Sequence, residues 1–312
     1  MRTRSKSKSG SQSERGGYPV AGRHSAVKPC LWLNRSIRGE GSCYKSQFYG
    51  IQSHRCIQMT PTLSCNHRCL HCWRQIEHAV PLPAPTDWDS PVEIKGSIIA
   101  KHLRLISGYG GSDTTDEDAL KEAKQPNQVA ISLAGEPTLY PHLPELIDEF
   151  KRDGMTTFVV TNGTQPDMVA KISPTQLYIS LNAPDEDTYL RVCNPIGNFW
   201  QQIQESLEIL ESARSRMRTA VRITLIKGVN VFDPEGYARL LQTCEPDHIE
   251  IKAYMHLGFS RKRLSRDAMP DHDEVLTFAS KIADEIGYRI ADDAPVSRVV
   301  LLSRDGLARR VR

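Results

Sequence analysis

Three cysteines on one short loop set the first limit on what this chain can become. Residues 65–72 read Cys65-Asn66-His67-Arg68-Cys69-Leu70-His71-Cys72, a C-x3-C-x2-C pattern just after an apolar run at 56–60. Eight cysteines scattered over 312 residues would produce that pattern only about 0.005 times, so chance explains it poorly. Three thiolates this close in sequence can hold three irons of a 4Fe–4S cube, leaving the fourth iron open to a small molecule. The alternative is a structural zinc completed by His67 or His71. Zinc knuckles draw ligands in pairs from two separated turns, whereas here three cysteines crowd one loop, which favours the cube. Six of the eight cysteines fall within residues 30–72, and the remaining two, Cys193 and Cys244, read as buried thiols. No N-terminal stretch has the apolar core of a secretory signal, so a cytoplasmic chain with metal-bound cysteines is expected.

Beyond residue 60, short apolar runs alternate with helical periodicity. The candidate strands are 56–60, 128–133, 157–161, 177–181, 221–226 and 249–253. They are rich in Val, Ile, Thr and Tyr, and several are apolar throughout, as strands covered on both faces are. The candidate helices are 91–107, 143–152, 200–213, 234–243 and 272–286, the last capped by Asp271 or Asp273 and stopped by Gly287. Alternation of this kind means an α/β fold. Six units are too few for a closed eight-stranded barrel, so a partial, TIM-like (β/α)6 barrel is expected over 56–290. An irregular N-terminal segment precedes it at 29–60, and a strand with a basic tail follows at 291–312. Residues 108–127, polar and acidic, read as an inserted loop or a short exposed helix.

The net charge of +3 is unevenly placed. Residues 1–28 carry seven basic side chains against Glu14 alone, so the rest of the chain is net acidic. A Ser/Gly/Arg/Lys-rich arm with so little to bury is expected to be disordered, either as a polycationic arm for nucleic acid or as a solvated tail. With 39% hydrophobic and 25% charged residues, and no apolar run near the ~20 residues of a membrane span, membrane and fibrous classes are excluded. Cys30, Cys43 and Cys56 are spaced C-x12-C-x12-C. Equal spacing says little by itself, because ligands need proximity in space. If they do converge, they offer a second cube with one open iron, able to bind a carboxylate or carbonyl.

The 65–72 loop, placed after the first strand, resembles that of radical S-adenosylmethionine (SAM) enzymes. Ala134-Gly135-Glu136-Pro137 and Thr161-Asn162-Gly163, which follow the second and third strands, extend the resemblance to strand C-termini, where barrel sites assemble. In that family the open iron chelates the amino and carboxylate groups of SAM. One electron from the cluster then cleaves the sulfonium bond, and the 5′-deoxyadenosyl radical abstracts hydrogen. The resemblance implies cofactor contacts for Gly135 and Glu136 at the ammonium, for Thr161 and Asn162 at the ribose, and for Ser180 and Asn182.

The chain is more similar still to the tRNA 4-demethylwyosine synthases of archaeal type. Cys43-Tyr44-Lys45, Phe48-Tyr49-Gly50-Ile51 and residues 53–61 carry that likeness, with 131–141, 158–164, 178–189, 250–264 and 297–304. Asn182 departs from it, standing where the family has an acidic residue. The resemblance implies a radical-SAM partial barrel with two 4Fe–4S clusters, held by Cys65, Cys69, Cys72 and by Cys30, Cys43, Cys56. It implies a reaction of the carbon–carbon lyase class on tRNA-Phe. The adenosyl radical takes hydrogen from the methyl of N1-methylguanosine beside the anticodon, and pyruvate supplies two carbons for the third ring, losing the other as carbon dioxide or formate. Electrons would come from an external flavodoxin- or ferredoxin-like donor, and a monomer is expected.

Lys45 then gains a role, because a neutral amine condenses with the pyruvate ketone as a Schiff base. A free lysine has a pKa near ~10.4, so a mostly neutral amine at pH 7 needs a downward shift of at least ~3.4 units, or about 4.6 kcal/mol. Burial can supply it, and an anionic cluster next door opposes it. For RNA, residues 252–266 interleave aromatic and basic side chains: Lys252, Tyr254, Phe259, Arg261, Lys262, Arg263 and Arg266. The cations suit phosphates, and Tyr254 or Phe259 suits an extruded base. Arg309, Arg310 and Arg312 form a second, smaller basic group. Two other readings share the cysteine loop. An activase that places a glycyl radical on a partner protein leaves the upstream cysteines and basic stretch unexplained. An RNA-binding protein stapled by metal would cleave no SAM.

Overall fold

Three short strands extend the first edge of the sheet that the sequence predicts. In the computed structural model, which describes residues 14–15, 18–77 and 80–311, these are β1 (Glu14–Arg15), β2 (Tyr18–Ala21) and β3 (Ser25–Val27). They pair antiparallel in turn, and β3 joins β4 (Cys56–Thr60) through Ala26–Thr60 and Val27–Met59. Pairing then becomes parallel. β5 (Gln128–Ile131), β6 (Thr156–Thr161), β7 (Gln176–Ser180), β8 (Arg218–Leu225) and β9 (His248–Ala253) follow in sequence order. These are the six strands read from the sequence. Two more, β10 (Arg289–Ala294) and β11 (Val299–Ser303), finish the other side antiparallel, with β11 against β9 and β10 outermost. The sheet therefore has eleven strands among the described residues and two open edges, not six strands alone.

The helices in the crossovers match the periodic stretches. α3 (Pro91–Ile106) starts at a capping box between Ser90 and Glu93, and α10 (His272–Ile286) at one between Asp271 and Glu274, which settles the choice between Asp271 and Asp273. Gly287 stops α10 in the left-handed region, at φ +71°. α5 (Leu143–Arg152), α8 (Trp200–Ala213) and α9 (Pro234–Cys244) are also as read. α4 (Glu117–Ala123) is the short helix allowed for within 108–127, and it buries Leu120 and Ala123. Two short helices escaped the sequence, α6 (Pro166–Lys171) and α7 (Glu186–Cys193). Cys193 and Cys244 are buried thiols.

Both faces of the parallel strands are covered, which is why they read as apolar throughout. Val129, Val159, Ile179, Ile223 and Ile251 point to the helices in the main core, each such side chain stabilising the fold by about 1.5–3 kcal/mol. The alternate residues Phe158, Tyr178 and Ala220 face the other way, with Val299 and Leu301. That inner face is filled by α2 (Tyr44–Tyr49) through Phe48 and Tyr49. The 29–60 segment is thus helical where it was read as irregular, with α1 (Leu31–Ile37) ahead of α2. Residues 18–28 correct the disordered arm, since Tyr18, Ala21, Ala26 and Val27 are buried and Arg23 pairs with Asp89 at 2.5 Å. Strands of three and four residues are too short to show alternation in sequence. The rest of the expected arm, 1–13 and 16–17, lies outside the described residues, as does Arg312. Among the described residues, no helix is long and apolar enough to cross a membrane.

Candidate active site

The loop of Cys65, Cys69 and Cys72 is held from two sides. The chain leaving α7 offers it backbone: Arg68 N–H donates to the Cys193 carbonyl at 2.9 Å and Leu70 N–H to that of Val192 at 2.9 Å. Arg263 grips the other flank, donating to the carbonyls of Leu70 (3.2 Å) and Cys72, and to Glu77 at 2.5 Å. Asn66 ties the loop to the third parallel strand end, accepting from Asn162 and donating to Thr164, both at 2.7 Å. Among the described residues, the one set of His, Cys, Asp or Glu ligand atoms mutually within 4.8 Å is His67, Cys69 and Cys193. The three loop thiols are therefore spread wider than the ~3.8 Å edges of a tetrahedral zinc–thiolate site. A single zinc does not fit that spread, and a larger thiolate-bound group would be needed to span it.

Next to that loop, a cavity at the strand ends is lined by Gly135, Glu136, Thr161, Asn162, Ser180 and Asn182 together with Cys65, Cys69 and Cys72. All six residues expected to meet the cofactor thus share one space with the loop. Glu136 is buried and ties two strand ends together: one oxygen accepts from Thr138 Oγ1 and Thr161 Oγ1, both at 2.7 Å, and the other from Asn162 N–H at 2.7 Å. Asn182, the departure from the acidic pattern, accepts from Thr224 N–H at 3.0 Å. Gly135 sits at φ +68°, and a Cβ there would run into the Thr62 carbonyl and lie 2.8 Å from that of Ser64. Gly135→Ala should therefore push the 134–137 turn away from the cysteine loop. The expected result is at least a tenfold loss of SAM affinity at near-normal iron content, measured by equilibrium dialysis; unchanged affinity would remove Gly135 from the cradle.

The upstream cysteines form a second gathering on the inner face of the sheet. Cys30 and Cys43 occupy the N-cap positions of α1 and α2, and Cys56 opens β4. Burial pushes all three thiols up, Cys43 to about 11, and Lys45 pulls each of them back down. Cys30 lies near enough to raise both Cys43 and Cys56 further. Lys45 itself is buried, its Nζ 4.5 Å from the ring centre of Tyr178 and 4.7 Å from that of Phe158. Beside it stands Glu250, wholly buried. One oxygen accepts from Tyr49 (2.8 Å) and Tyr178 (3.0 Å); the other accepts from Tyr44 (3.0 Å) and from Arg222 Nε and Nη2 (3.0 and 2.8 Å).

Electrostatics in this chamber follow from burial. Loss of water lowers Lys45 to about 8, helped by Arg222 and opposed by Glu250 and by Cys43 and Cys56. The same causes bring Lys252 to about 8. About one Lys45 in eleven is then neutral at pH 7, far more than for a free lysine. Burial alone would raise Glu250, but Arg222, Lys45 and the tyrosine hydroxyls outweigh it and bring the carboxyl down to about 2. Apart from the cysteines, Lys45, Lys252 and Arg222 face one carboxylate, a surplus of positive charge that suits an anion.

Comparison with known proteins decides what this arrangement belongs to. The sequence model described as "Radical SAM superfamily" matches residues 59–241, and that described as "Wyosine base formation" matches 243–304. The S-adenosyl-L-methionine-dependent tRNA 4-demethylwyosine synthase of Pyrococcus horikoshii is 44% identical over 92% of this chain and 86% of its own length. The chain belongs to the tRNA 4-demethylwyosine synthase family. The Methanocaldococcus jannaschii member is 43% identical over 92% and 93% of the two chains. A solved structure of TYW1 with a lysine–pyruvate adduct bound superimposes with a TM-score of 0.85, at 42% identity and over 94% of each chain.

Within this family of synthases, the basic stretch needs correction. Tyr254 is buried, so it offers no stacking face; its hydroxyl meets Ser260 at 3.2 Å. Lys252 points into the chamber, with its Nζ 5.8 Å from the Tyr44 ring centre. Arg263 is spent on the cysteine loop. Of the residues read as RNA contacts, Arg261, Lys262 and Arg266 are exposed and Phe259 is half-buried. Arg309 is paired with Asp305 at 2.5 Å. Sequence reasoning missed Arg222 and Glu250 as chamber residues, and Asn66 and Arg263 as supports of the loop. The signal was present, since a charged residue inside an apolar strand marks a functional face.

Proposed function

We propose that this chain makes 4-demethylwyosine on tRNA-Phe from N1-methylguanosine and pyruvate, in the cytoplasm and as a monomer, drawing electrons from a flavodoxin- or ferredoxin-like donor. The observation that carries this reading is Lys45, buried among aromatic rings beside a positively charged chamber and the upstream thiols. Cys65, Cys69 and Cys72 would hold one 4Fe–4S cluster and Cys30, Cys43 and Cys56 another. When bound, the clusters and SAM supply a 5′-deoxyadenosyl radical and an open iron for a keto acid. The six parallel strands would curve round both as a partial barrel of the radical-SAM type.

The chain's own residues do the rest. Gly135, Glu136, Thr161, Asn162, Ser180 and Asn182 line the space where SAM would lie. Neutral Lys45 attacks the ketone carbon of pyruvate, and the carbinolamine then loses water to form an imine. The rings of Phe158 and Tyr178 keep bulk water away, which favours the condensation over its reverse. Arg222 and Lys252 give the substrate carboxylate a cationic wall, while Glu250 keeps the three tyrosines and Arg222 in place. Anaerobic reconstitution should load about eight irons, the content of two cubes. Reduced enzyme given SAM, methylated tRNA and 13C-labelled pyruvate should place label in the nucleoside. SAM cleavage with no label incorporated would overturn the carbon-transfer reading, and no cleavage at all would favour a metal-stapled binding protein.

A further inference from the structure

Of the four tryptophans, only Trp73 is exposed, at 46%, and it directly follows the last loop cysteine. An exposed indole is usually mobile, but this one is clamped. Its carbonyl accepts from Phe259 N–H at 3.0 Å. Gly258, at φ +55°, must lack a side chain, because a Cβ there would run into that same carbonyl. The Arg74 guanidinium lies 3.7 Å from the indole centre, backing the ring, and 4.7 Å from that of Tyr18. Arg74 is 7% exposed, yet its Nε and Nη2 find no hydrogen-bond partner among the described residues. Held against two rings and out of solvent, the guanidinium stiffens the indole from behind.

The surroundings fix the kind of ligand. Trp73 borders the cavity that holds Glu136, Asn162 and the loop cysteines. On the loop pinned to it stand Arg261, Lys262 and Arg266, exposed and without an ion pair among the described residues, with Lys262 Nζ 5.1 Å from the Phe259 ring centre. A rigid aromatic face beside unpaired cations is the combination that binds single-stranded nucleic acid, by stacking and by phosphate neutralisation. A base that enters a cavity for chemistry must leave its own stack, and its neighbour loses a stacking partner in the process.

We propose that Trp73 is the platform on which the nucleobase neighbouring the modified guanosine stacks, backed by Arg74, while Arg261, Lys262 and Arg266 take the flanking phosphates. This rests on the tRNA reading and adds where and how the RNA is held. The test uses the iron-loaded protein and an anticodon stem-loop RNA that carries N1-methylguanosine, with 2-aminopurine as the next base. Trp73→Ala should raise Kd roughly 10–100-fold with an unchanged salt slope, and should leave the 2-aminopurine bright where wild type quenches it. Trp73→Phe should recover most of the affinity, which separates stacking from a disturbed loop. Arg261→Ala with Lys262→Ala should also weaken binding, but by flattening the salt dependence. Wild-type affinity and quenching in Trp73→Ala would overturn the platform while leaving the tRNA reading standing. A wild-type protein that does not bind this RNA would overturn that reading and the platform together.

Discussion

Lys45→Arg should abolish product formation, by at least about 1,000-fold, in a protein that still folds, binds iron and cleaves SAM. The substitution keeps a positive charge between Phe158 and Tyr178, where Nζ now lies 4.7 and 4.5 Å from the ring centres. What it removes is the lone pair. A guanidinium stays protonated even in this chamber and cannot condense with a ketone. The measurement is borohydride trapping of pyruvate on the intact protein, read by mass, alongside turnover on methylated tRNA. Wild type should gain the mass of a reduced pyruvate adduct on the peptide that contains Lys45, and the variant should gain none. Lys252 is the internal control, since it too faces the chamber, half-buried, and is brought to about 8. An adduct that persists in Lys45→Arg and maps to Lys252 would move the amine's role from one lysine to the other. Full turnover in the variant with no trapped adduct on either lysine would remove imine chemistry altogether.

The sheet was legible because its strands are buried on both faces and its helices are long, so that each element repeats its period often enough to be read. The flanking strands were not. β2 and β3 have four and three residues, and they are strands because β4 presents an edge to them. The same limit hid α1 and α2, whose positions follow from packing and not from their own periodicity: Phe48 and Tyr49 of α2 sit on the inner face, and Leu33 and Ile37 of α1 sit against Ile106, Leu120 and Ala123. The loop cysteines were legible by spacing, since all three share one turn of chain. The upstream three converge only through the fold, and their likeness to a family supplied what spacing could not. Lys252 and Tyr254 were misplaced for a related reason. β9 carries its alternation through Ala253, which sends Lys252 to the chamber with Glu250, its neighbour two residues back, and Tyr254 follows into the core. Read as a linear stretch of basic and aromatic residues, they look like surface; read as the end of a strand, they are interior.

Glu250→Gln should cost about 3–5 kcal/mol of stability, more than any surface change in this chain, because it breaks a buried charge pair from one side. The amide keeps the shape and loses the charge. Arg222 and Lys45 would remain buried without their counter-ion, and the new N–H2 would point at hydroxyls that now donate, those of Tyr44 or of Tyr49 and Tyr178. The sign of the pH dependence follows from the direction of the shift. Glu250 is held down from 4.5 to about 2, facing Arg222, Lys45, Cys43 and the three tyrosines. Its stabilising effect, about 3 kcal/mol from the shift alone, is complete above the ordinary carboxylate range and is lost progressively as pH falls from there through about 2. The carboxylate's own contribution should therefore stay level from pH 8 down to pH 5, while Lys45 and Lys252, which it holds up at about 8, titrate lower in the variant, so the gap should widen and not close as pH falls from 8. Anaerobic urea unfolding of the iron-loaded proteins reads it as a midpoint lowered by roughly 1–2 M. A difference below 1 kcal/mol would show that Glu250 is not holding Arg222 and the tyrosines together. A gap that closes between pH 8 and 6 would assign the stabilisation to some group other than this carboxylate.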